Sequence, residues 1–517
     1  MKNKRAWLLL AVVLAAWIGV RAPSMGMEGR GAHDWVTLHS LLVVRIWNAA
    51  GLEQAHYAPI MNWPNPADRF ISYAPGQTVS DEQGNTYYVA FPPLAFLVAW
   101  VVQGVLKLEP SALVLRSINL VALIPASLLF YALVRRLFAG ERAHALGLIG
   151  MVVLLFNRAT LVSYGNLYSP LILVFPLWMM TVCAYLGLAG GVLRGRGWPW
   201  AFGLLVFLSC YCDWLGFLAA LSFCGYSLVA GRLQGTHLRL VATSGGAALL
   251  AGALIWVQYA AIGGAGALLS AWGNRLGHRS GLVAGGGRRW TVWDLSTYRG
   301  ICARYLEQYW PVLLLLAGLG AAYWLSRRAA GSLRRNGELR RAMFCFGAPV
   351  ALDHVLLSNH TAIHDFAALK AAPVLALIVV WLVEGLWRAE RGWLSRKAGR
   401  AAVVSALAGM CVLAMVGYWR DRGTVDPGPA QLAGQIRSSA APHQVVFVVG
   451  GRSGPVVPLP LIYLSGRNIQ RVRDEGEARE FLRARRWKDG VIFFAGAEWQ
   501  PSGAPRAIRE DGISGSQ

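Results

Sequence analysis

Apolar runs dominate the chain, and their lengths match the thickness of a bilayer. After Lys2, Lys4 and Arg5 comes the apolar run Ala6–Val20. Runs long enough to span follow near 112–133, 143–162, 169–189, 199–212, 214–230 and 240–262, then at 310–326, 342–357, 366–387 and 401–418. A helix rises about 1.5 Å per residue, so some 20 apolar residues cross a hydrocarbon core of about 30 Å. The pattern predicts an all-α polytopic membrane protein with about eleven transmembrane helices. Ala6–Val20 is also as short as a signal-peptide core, but Pro23 follows the nearest small-residue site, after Ala22, and disfavours cleavage. It reads as an uncleaved first helix with a cytoplasmic N-terminus.

Two long segments interrupt the apolar rhythm, an outer loop at 21–111 and another at 263–309. The first contains one hydrophobic stretch, Phe91–Leu106, whose placement decides the orientation of everything after it. If it does not span, the segments on the N-terminal side hold 21 Lys and Arg in 61 residues, against 11 in 153 in the opposite loops 21–111, 163–169, 263–309 and 358–365. That roughly five-fold bias has the sign expected when cationic loops stay in the cytoplasm. If Phe91–Leu106 spans, the bias reverses. The stretch is therefore expected to lie flat on the outer surface. Residues 1–418 then form the transmembrane domain, and 419–517 lie outside. In that tail, Val445–Gly450, Asn468–Val472 and Val491–Ala495 read as strands, and Glu475–Arg486 has helical composition. The expectation is a small periplasmic βαβαβ domain.

Composition narrows the class further. Of 517 residues 56% are hydrophobic and only 15% charged, with mean hydropathy +0.44, which excludes disorder, a coiled coil and a secreted disulfide scaffold. The formal net charge of +23 would point to nucleic acid in a soluble protein. Here membrane topology accounts for it, and no nucleic-acid partner is expected. Six of the seven cysteines lie in apolar runs and only Cys302 in a polar loop, so neither a disulfide framework nor a zinc spacing is present.

The chemistry-bearing residues gather on the outer side. Gly31-Ala32-His33-Asp34-Trp35 opens the first outer loop, where Asp34 reads either as a catalytic base at the membrane mouth or as a solvated loop acid. The same loop carries Thr86-Tyr87-Tyr88-Val89-Ala90-Phe91-Pro92-Pro93-Leu94. Arg116 and Arg158 sit near outer helix ends, where an ionisable residue is a functional candidate; snorkelling to the interface is the alternative. Arg275, Arg279, Arg288, Arg289, Arg299 and Arg304 line the second outer loop, and bidentate arginines suit a phosphate. His360, His364 and Asp365 share a short outer turn, with Lys370 just inside the next helix. The i, i+4 histidines lack an HExxH context, so a hydrogen-bonding cluster is preferred to a metal site. Asp213 stands at an outer turn, either toward substrate or as the cap of the helix it begins.

An acid just after the first span, a helix ending in Ala49-Ala50-Gly51 and an aromatic-Pro-Pro-Leu run resemble the GT-C superfamily of membrane glycosyltransferases. Arg116, the Cys212-Asp213-Trp214-Leu215-Gly216 turn and the stretch from Asn359 through Asp365 to Lys370 and Pro373 agree with it. The likeness is to the branch of protein O-mannosyltransferases and the lipid A aminoarabinose transferase. It implies a polyprenyl-phosphate sugar donor and a lipid, glycan or protein hydroxyl acceptor, with Asp34 as base and no cofactor. Arg116 and Lys370 fall at positions that match the family, and with the outer cations Arg158, Arg299 and Arg304 they are expected to serve the donor phosphate. His33, Tyr88, Asp213, His360, His364 and Asp365 would serve substrate. One carboxylate on the acceptor face suffices for inversion by single displacement. The sequence departs from the branch at Trp35, where many members have a second acid, and at Ala90 and Phe91, where the aminoarabinose transferases have Glu and Lys. The first departure weakens a metal-bridged mechanism, and the second argues against the same sugar. The arginine-rich loops and the Ala and Gly content fit a GC-rich bacterium, and thus an inner membrane with the site facing the periplasm. The rival readings are a transporter or flippase for a lipid-linked substrate, which predicts paired broken-helix halves, and a polymerase or ligase using a diphosphate-linked donor.

Overall fold

A computed structural model describes residues 2–28, 35–66, 68–71, 76–229, 234–282, 293–325, 337–388, 397–420, 427–450, 459–496 and 499–509. His33 and Asp34 lie outside the described residues, as do Arg288 and Arg289. The chain divides into two compact units, both discontinuous in sequence.

Unit 1 comprises Met1–Gly26, Leu115–Trp256 and Asn274–Arg422 and is helical throughout its described residues. Helices are what a lipid-exposed chain requires, because each satisfies its own backbone hydrogen bonds. Among the described residues, six helices are long and apolar enough to cross a membrane: Lys4–Met25, Ala112–Leu137, Pro170–Ala189, Gly235–Ser280, Asp365–Arg388 and Lys397–Arg420. A seventh arises if Ala143–Leu155 and Arg158–Asn166, bent by 58°, count as one span. Of the remaining expected spans, Trp198–Cys212 and Trp214–Val229 are shorter apolar helices. The runs at 310–326 and 342–357 are covered through residues 325 and 356 by helices Leu295–Leu325 and Gly337–Leu356.

The 58° bend is organised by one side chain. Asn157 accepts from the Thr160 amide at 2.9 Å, capping the second helix, while its Nδ2 donates to the Val153 and Leu154 carbonyls at 3.0 and 2.8 Å. A break in a helix orphans carbonyls before it and amides after it, and this buried amide serves both. A different break interrupts Gly235–Ser280 at Gly264, whose φ of 85° is open to glycine but strained for other residues.

The second outer segment differs from the expected polar loop. Residues 265–280 and 295–309 are helical, the first continuing past Gly264 and the second opening Leu295–Leu325. Their glycines and arginines break up any apolar run, so hydropathy alone gave no sign of the helices.

Unit 2 comprises Met27–Val114, Val257–Gly273 and Gly423–Gln517. Its strands are β1 (Val79–Ser80), β2 (Thr86–Tyr87), β3 (Val445–Gly450), β4 (Ile469–Val472), β5 (Asp489–Ala495) and β6 (Arg506–Arg509). β1 and β2 form an antiparallel ribbon, and the larger sheet has the order β4-β3-β5-β6. Its first three strands are parallel, with helices Leu459–Ser465 and Glu475–Ala484 in the connections. The expected βαβαβ pattern is therefore present, with β6 added antiparallel at the edge.

The expected boundary at 418/419 is corrected. The tail does not stand alone but shares one unit with the first outer loop and residues 257–273. Trp63 donates its amide to Asn468 Oδ1 at 2.7 Å and its Nε1 to the Ile462 carbonyl at 3.1 Å, and Phe70 stacks on Phe481 at 5.8 Å. From 257–273, Tyr259 donates to the Phe91 carbonyl at 2.5 Å and Trp272 to the Val89 carbonyl at 2.9 Å. These partners are distant in sequence, which is why composition alone placed a boundary between them. Within the same unit, the helix following Phe91 is Leu94–Leu106, of 13 residues. It rises about 20 Å, too short for a bilayer.

Asp68 is fully buried, accepts from Asn468 Nδ2 at 2.7 Å and lies 3.6 Å from Arg467 Nε. Burial pushes its carboxyl up from 3.8 to about 6, against the opposing pull of Asn468 and Arg467. The folded unit thus holds this proton more tightly than the unfolded chain. Its stabilising contribution is complete below about pH 4 and is lost as the pH rises through about 6. Thermal unfolding of wild type is expected to shift downward over that window by the equivalent of about 2–3 kcal/mol. Asp68→Asn should remove this component, and an unchanged pH profile in the variant would exclude Asp68 as its source.

Candidate active site in unit 1

A set of ionisable side chains converges in unit 1 around the turn that joins helices Gly337–Leu356 and Ala372–Arg388. Its centre is a buried ion pair: Lys370 Nζ lies 2.6 Å from Asp353 Oδ1, the two residues being 3% and 1% exposed. Asp353 projects from the last turns of Gly337–Leu356, and Lys370 from the 3₁₀ turn Asp365–Ala371. His354 Nε2 and the Tyr305 hydroxyl are 2.6 Å apart, which ties helix Leu295–Leu325 to the same point. Tyr309, one turn on, donates to the Ala368 carbonyl at 2.9 Å, and Gln308 to Asp365 Oδ2 at 3.2 Å. Asp365 Oδ1 also accepts from the Phe366 amide at 2.8 Å. The turn is thus braced before any ligand is considered.

Asp213 is 2% exposed and shares this electrostatic neighbourhood. Its Oδ1 accepts from the Leu215 amide at 3.0 Å, so it does cap Trp214–Val229, while its Oδ2 is buried with no hydrogen-bond partner among the described residues. Burial pushes its carboxyl up, opposed by the charges of Lys370 and Arg279. Gly216 lets this turn close, since a Cβ there would fall 2.5 Å from the Ser209 carbonyl oxygen.

His360 is 7% exposed and its ring centre lies 4.6 Å from that of His364, which stacks on Phe366 at 4.9 Å. Burial holds the His360 imidazole well below its ordinary pKa, and the charges of His364, Arg279, Lys370 and Arg275 push the same way. A neutral imidazole in this setting offers one donor and one acceptor. The turn is fixed to the end of helix 265–280 by Asn359 Nδ2, which donates to the His278 carbonyl at 2.7 Å, and by Ser358 Oγ, which donates to Ser280 at 3.1 Å. That contact brings Arg275 and Arg279 toward the histidines.

The remaining sequence-derived candidates separate. Arg158 and Arg304 share one acid: Arg158 Nη2 lies 3.3 Å from Glu307 Oε1 and Arg304 Nη1 2.9 Å from Glu307 Oε2. Arg304 also reaches the Ala362 carbonyl at 3.4 Å, at the edge of the histidine turn. Arg299 is exposed on the same helix. Arg116 is 1% exposed and donates to the Ser24 and Met25 carbonyls at 3.0 Å each, so it caps the C-terminal end of the first helix. Such a cation is spent on the helix dipole and its orphan carbonyls, which gives it a bracing role.

Tyr88 belongs to unit 2, where its ring packs edge-on against His39 at 5.3 Å and beside Phe91 at 5.6 Å. His33 and Asp34 fall outside the described residues. Among the described residues no group of three or more His, Cys, Asp or Glu is placed to hold a metal ion. Asp353, His354 and Tyr305 were not singled out in the sequence; the available signal was an adjacent acid and histidine inside an otherwise apolar run.

No protein-family model matches the chain, and no curated protein does. Solved structures do. The apo oligosaccharyltransferase of Archaeoglobus fulgidus aligns with TM-score 0.61 at 12% identity, over 94% of this chain and 69% of that one. ArnT from Cupriavidus metallidurans, bound to undecaprenyl phosphate, aligns with TM-score 0.58 at 13% identity, over 96% and 94%. The mycobacterial arabinofuranosyltransferase AftD gives TM-score 0.50 at 15% identity, over 95% of this chain and 35% of that longer one. With its apolar helices, the chain is a multi-pass membrane protein, and it has the fold of the GT-C glycosyltransferases.

Proposed function

We propose that this protein is a membrane glycosyltransferase. It takes a sugar from a polyprenyl-phosphate donor and delivers it to a hydroxyl of a lipid, glycan or protein acceptor. The observation that carries this reading is the convergence of Arg275, Arg279 and Lys370 on His360, in a fold shared with an enzyme whose structure holds undecaprenyl phosphate. A phosphate gains charge as it leaves the anomeric carbon, and buried cations aimed at that charge favour the transition state over the ground state. Arg275 and Arg279 take precedence over Arg116 in this assignment, since Arg116 is committed to the end of the first helix. Lys370 contributes its charge through the field, because Asp353 holds its ammonium. Asp34, at the mouth of the first span in the sequence, acts as base on the acceptor hydroxyl, and displacement inverts the anomeric centre. The protein works in a bacterial inner membrane with this site facing the periplasm, as the Lys and Arg bias supports.

Arg279→Gln is expected to weaken undecaprenyl phosphate binding by 10- to 150-fold, for the loss of about 1.5–3 kcal/mol in a charge-assisted contact. Binding to the detergent-purified protein measures it, with thermal unfolding as the control for folding. Unchanged affinity in a folded variant would remove Arg279 from the site. Loss of one surface glycan when the protein is deleted, read by mass spectrometry, tests the activity itself.

A further inference from the structure

Lys370 is held so close to a carboxylate that the pair projects a dipole and not a charge. Its Nζ lies 2.6 Å from Asp353 Oδ1, and both residues are nearly inaccessible. Two opposite charges at that separation largely cancel at any point well beyond it. At the Asp213 carboxyl, for example, the charges of Lys370 and Asp353 act in opposite senses. A donor phosphate therefore feels Lys370 weakly unless Asp353 is itself offset.

His354, the next residue on the same helix, stands where it can do so. Its Nδ1 lies 3.6 Å from Asp353 Oδ2, and neither atom has a hydrogen-bond partner among the described residues. Its Nε2 is 2.6 Å from the Tyr305 hydroxyl, and the two rings meet edge to face at 5.6 Å. A neutral imidazole carries one N–H and can donate on one side alone. A protonated imidazole donates on both, toward Asp353 Oδ2 and toward the Tyr305 oxygen. The charged and titratable groups that face it are Asp353 on its own helix, Tyr305 on Leu295–Leu325 and, through Asp353, Lys370 on the Asp365–Ala371 turn. Farther out, the charge of Lys370 acts on Asp213 and on His360, which is also under the charges of His364, Arg279 and Arg275.

We propose that His354 is a positioning residue of the donor site, whose protonation frees the charge of Lys370 to act on the donor phosphate. With His354 neutral, Lys370 and Asp353 sum to no net charge. With His354 protonated, the three groups carry one net positive charge, in a buried setting that salt screens little. Imidazole changes its charge between about pH 5 and 8, so donor affinity is coupled to the pH on the side that the site faces. The inference rests on the donor-site reading above and gives His354 no contact with substrate.

The test is the affinity of the full-length protein in detergent for undecaprenyl phosphate, in wild type and His354→Gln, at about pH 6 and about pH 8. Glutamine keeps a hydrogen-bonding side chain but cannot take the proton. The ligand's own phosphate loses charge toward the lower pH, but it does so for both proteins, and the ratio of affinities isolates His354. The variant is expected to bind about tenfold more weakly than wild type at the lower pH and equally at the higher. That is the scale of one added charge acting over about 10 Å at an effective dielectric constant of about 20. His443→Gln, at an exposed position in unit 2, should match wild type at both. His354→Arg carries a fixed charge and should bind about tenfold tighter than wild type at the higher pH, which keeps the test open if His354→Gln does not fold. An affinity ratio that is the same at both pH values would show a merely structural role and overturn the proposal. So would His354→Arg binding like wild type at the higher pH. Wild type that binds no undecaprenyl phosphate at either pH would instead overturn the donor-site reading, and this inference with it.

Discussion

Replacing Asp34 by asparagine is expected to lower turnover by about 10²–10⁴ while the protein remains folded. Asparagine keeps the size and one acceptor of the carboxylate but cannot take a proton from the acceptor hydroxyl. Donor affinity should change far less, because the base acts on the acceptor and not on the departing phosphate. Purified Asp34→Asn, assayed for turnover and for donor binding, separates the two. Near-normal turnover would exclude Asp34 as base. The product's anomeric configuration, read by NMR, tests the displacement separately, and a retained configuration would rule out a single in-line attack even if Asp34 proved essential.

Lys370→Met is expected to destabilise unit 1 by about 3–5 kcal/mol, since it leaves the buried Asp353 without its ammonium partner and with only His354 Nδ1, at 3.6 Å, beside it. The pair is 2.6 Å long with both residues nearly inaccessible, so water cannot compensate. The double variant Lys370→Met with Asp353→Leu should recover most of the loss, because exchanging a buried pair for apolar groups of similar volume is close to neutral. Thermal unfolding of the two variants decides it. Equal losses in the single and double variants would show that Lys370 serves packing and not charge.

The helical spans and two of the parallel strands were legible for one reason, which is that each is a bounded apolar run of characteristic length. Val445–Gly450 and Asp489–Ala495 show it, whereas Ile469–Val472 has Gln470 and Arg471 between its two buried residues. β6 does not show it, since Arg506–Arg509 is an edge strand with only Ile508 buried. The helices at 265–280 and 295–309 were read as loop because arginines and glycines dilute their period. The tie between Trp63 and Asn468 was illegible in principle, as it joins residues 405 apart by single hydrogen bonds. In the candidate site the histidine turn, Lys370 and Asp213 could be named from an outer-turn position and a resemblance. Asp353 could not be named that way, because it sits within a run that hydropathy averages into a span. The ranking of the arginines needed coordinates: Arg116 is buried on carbonyls, whereas the charge of Arg279 acts on His360, and both look alike in sequence.

The cysteines carry a practical consequence. All seven are free, and Cys302 alone is exposed. It lies on helix Leu295–Leu325 between Arg299 and Arg304, one turn before the Glu307 that both Arg158 and Arg304 engage. A maleimide fluorophore would therefore react first at this native position beside the proposed donor site, with Cys224 and Cys411, half-buried, replaced to remove slower labelling. Its emission would follow lipid-phosphate occupancy in real time, turning an integral membrane protein into its own optical sensor.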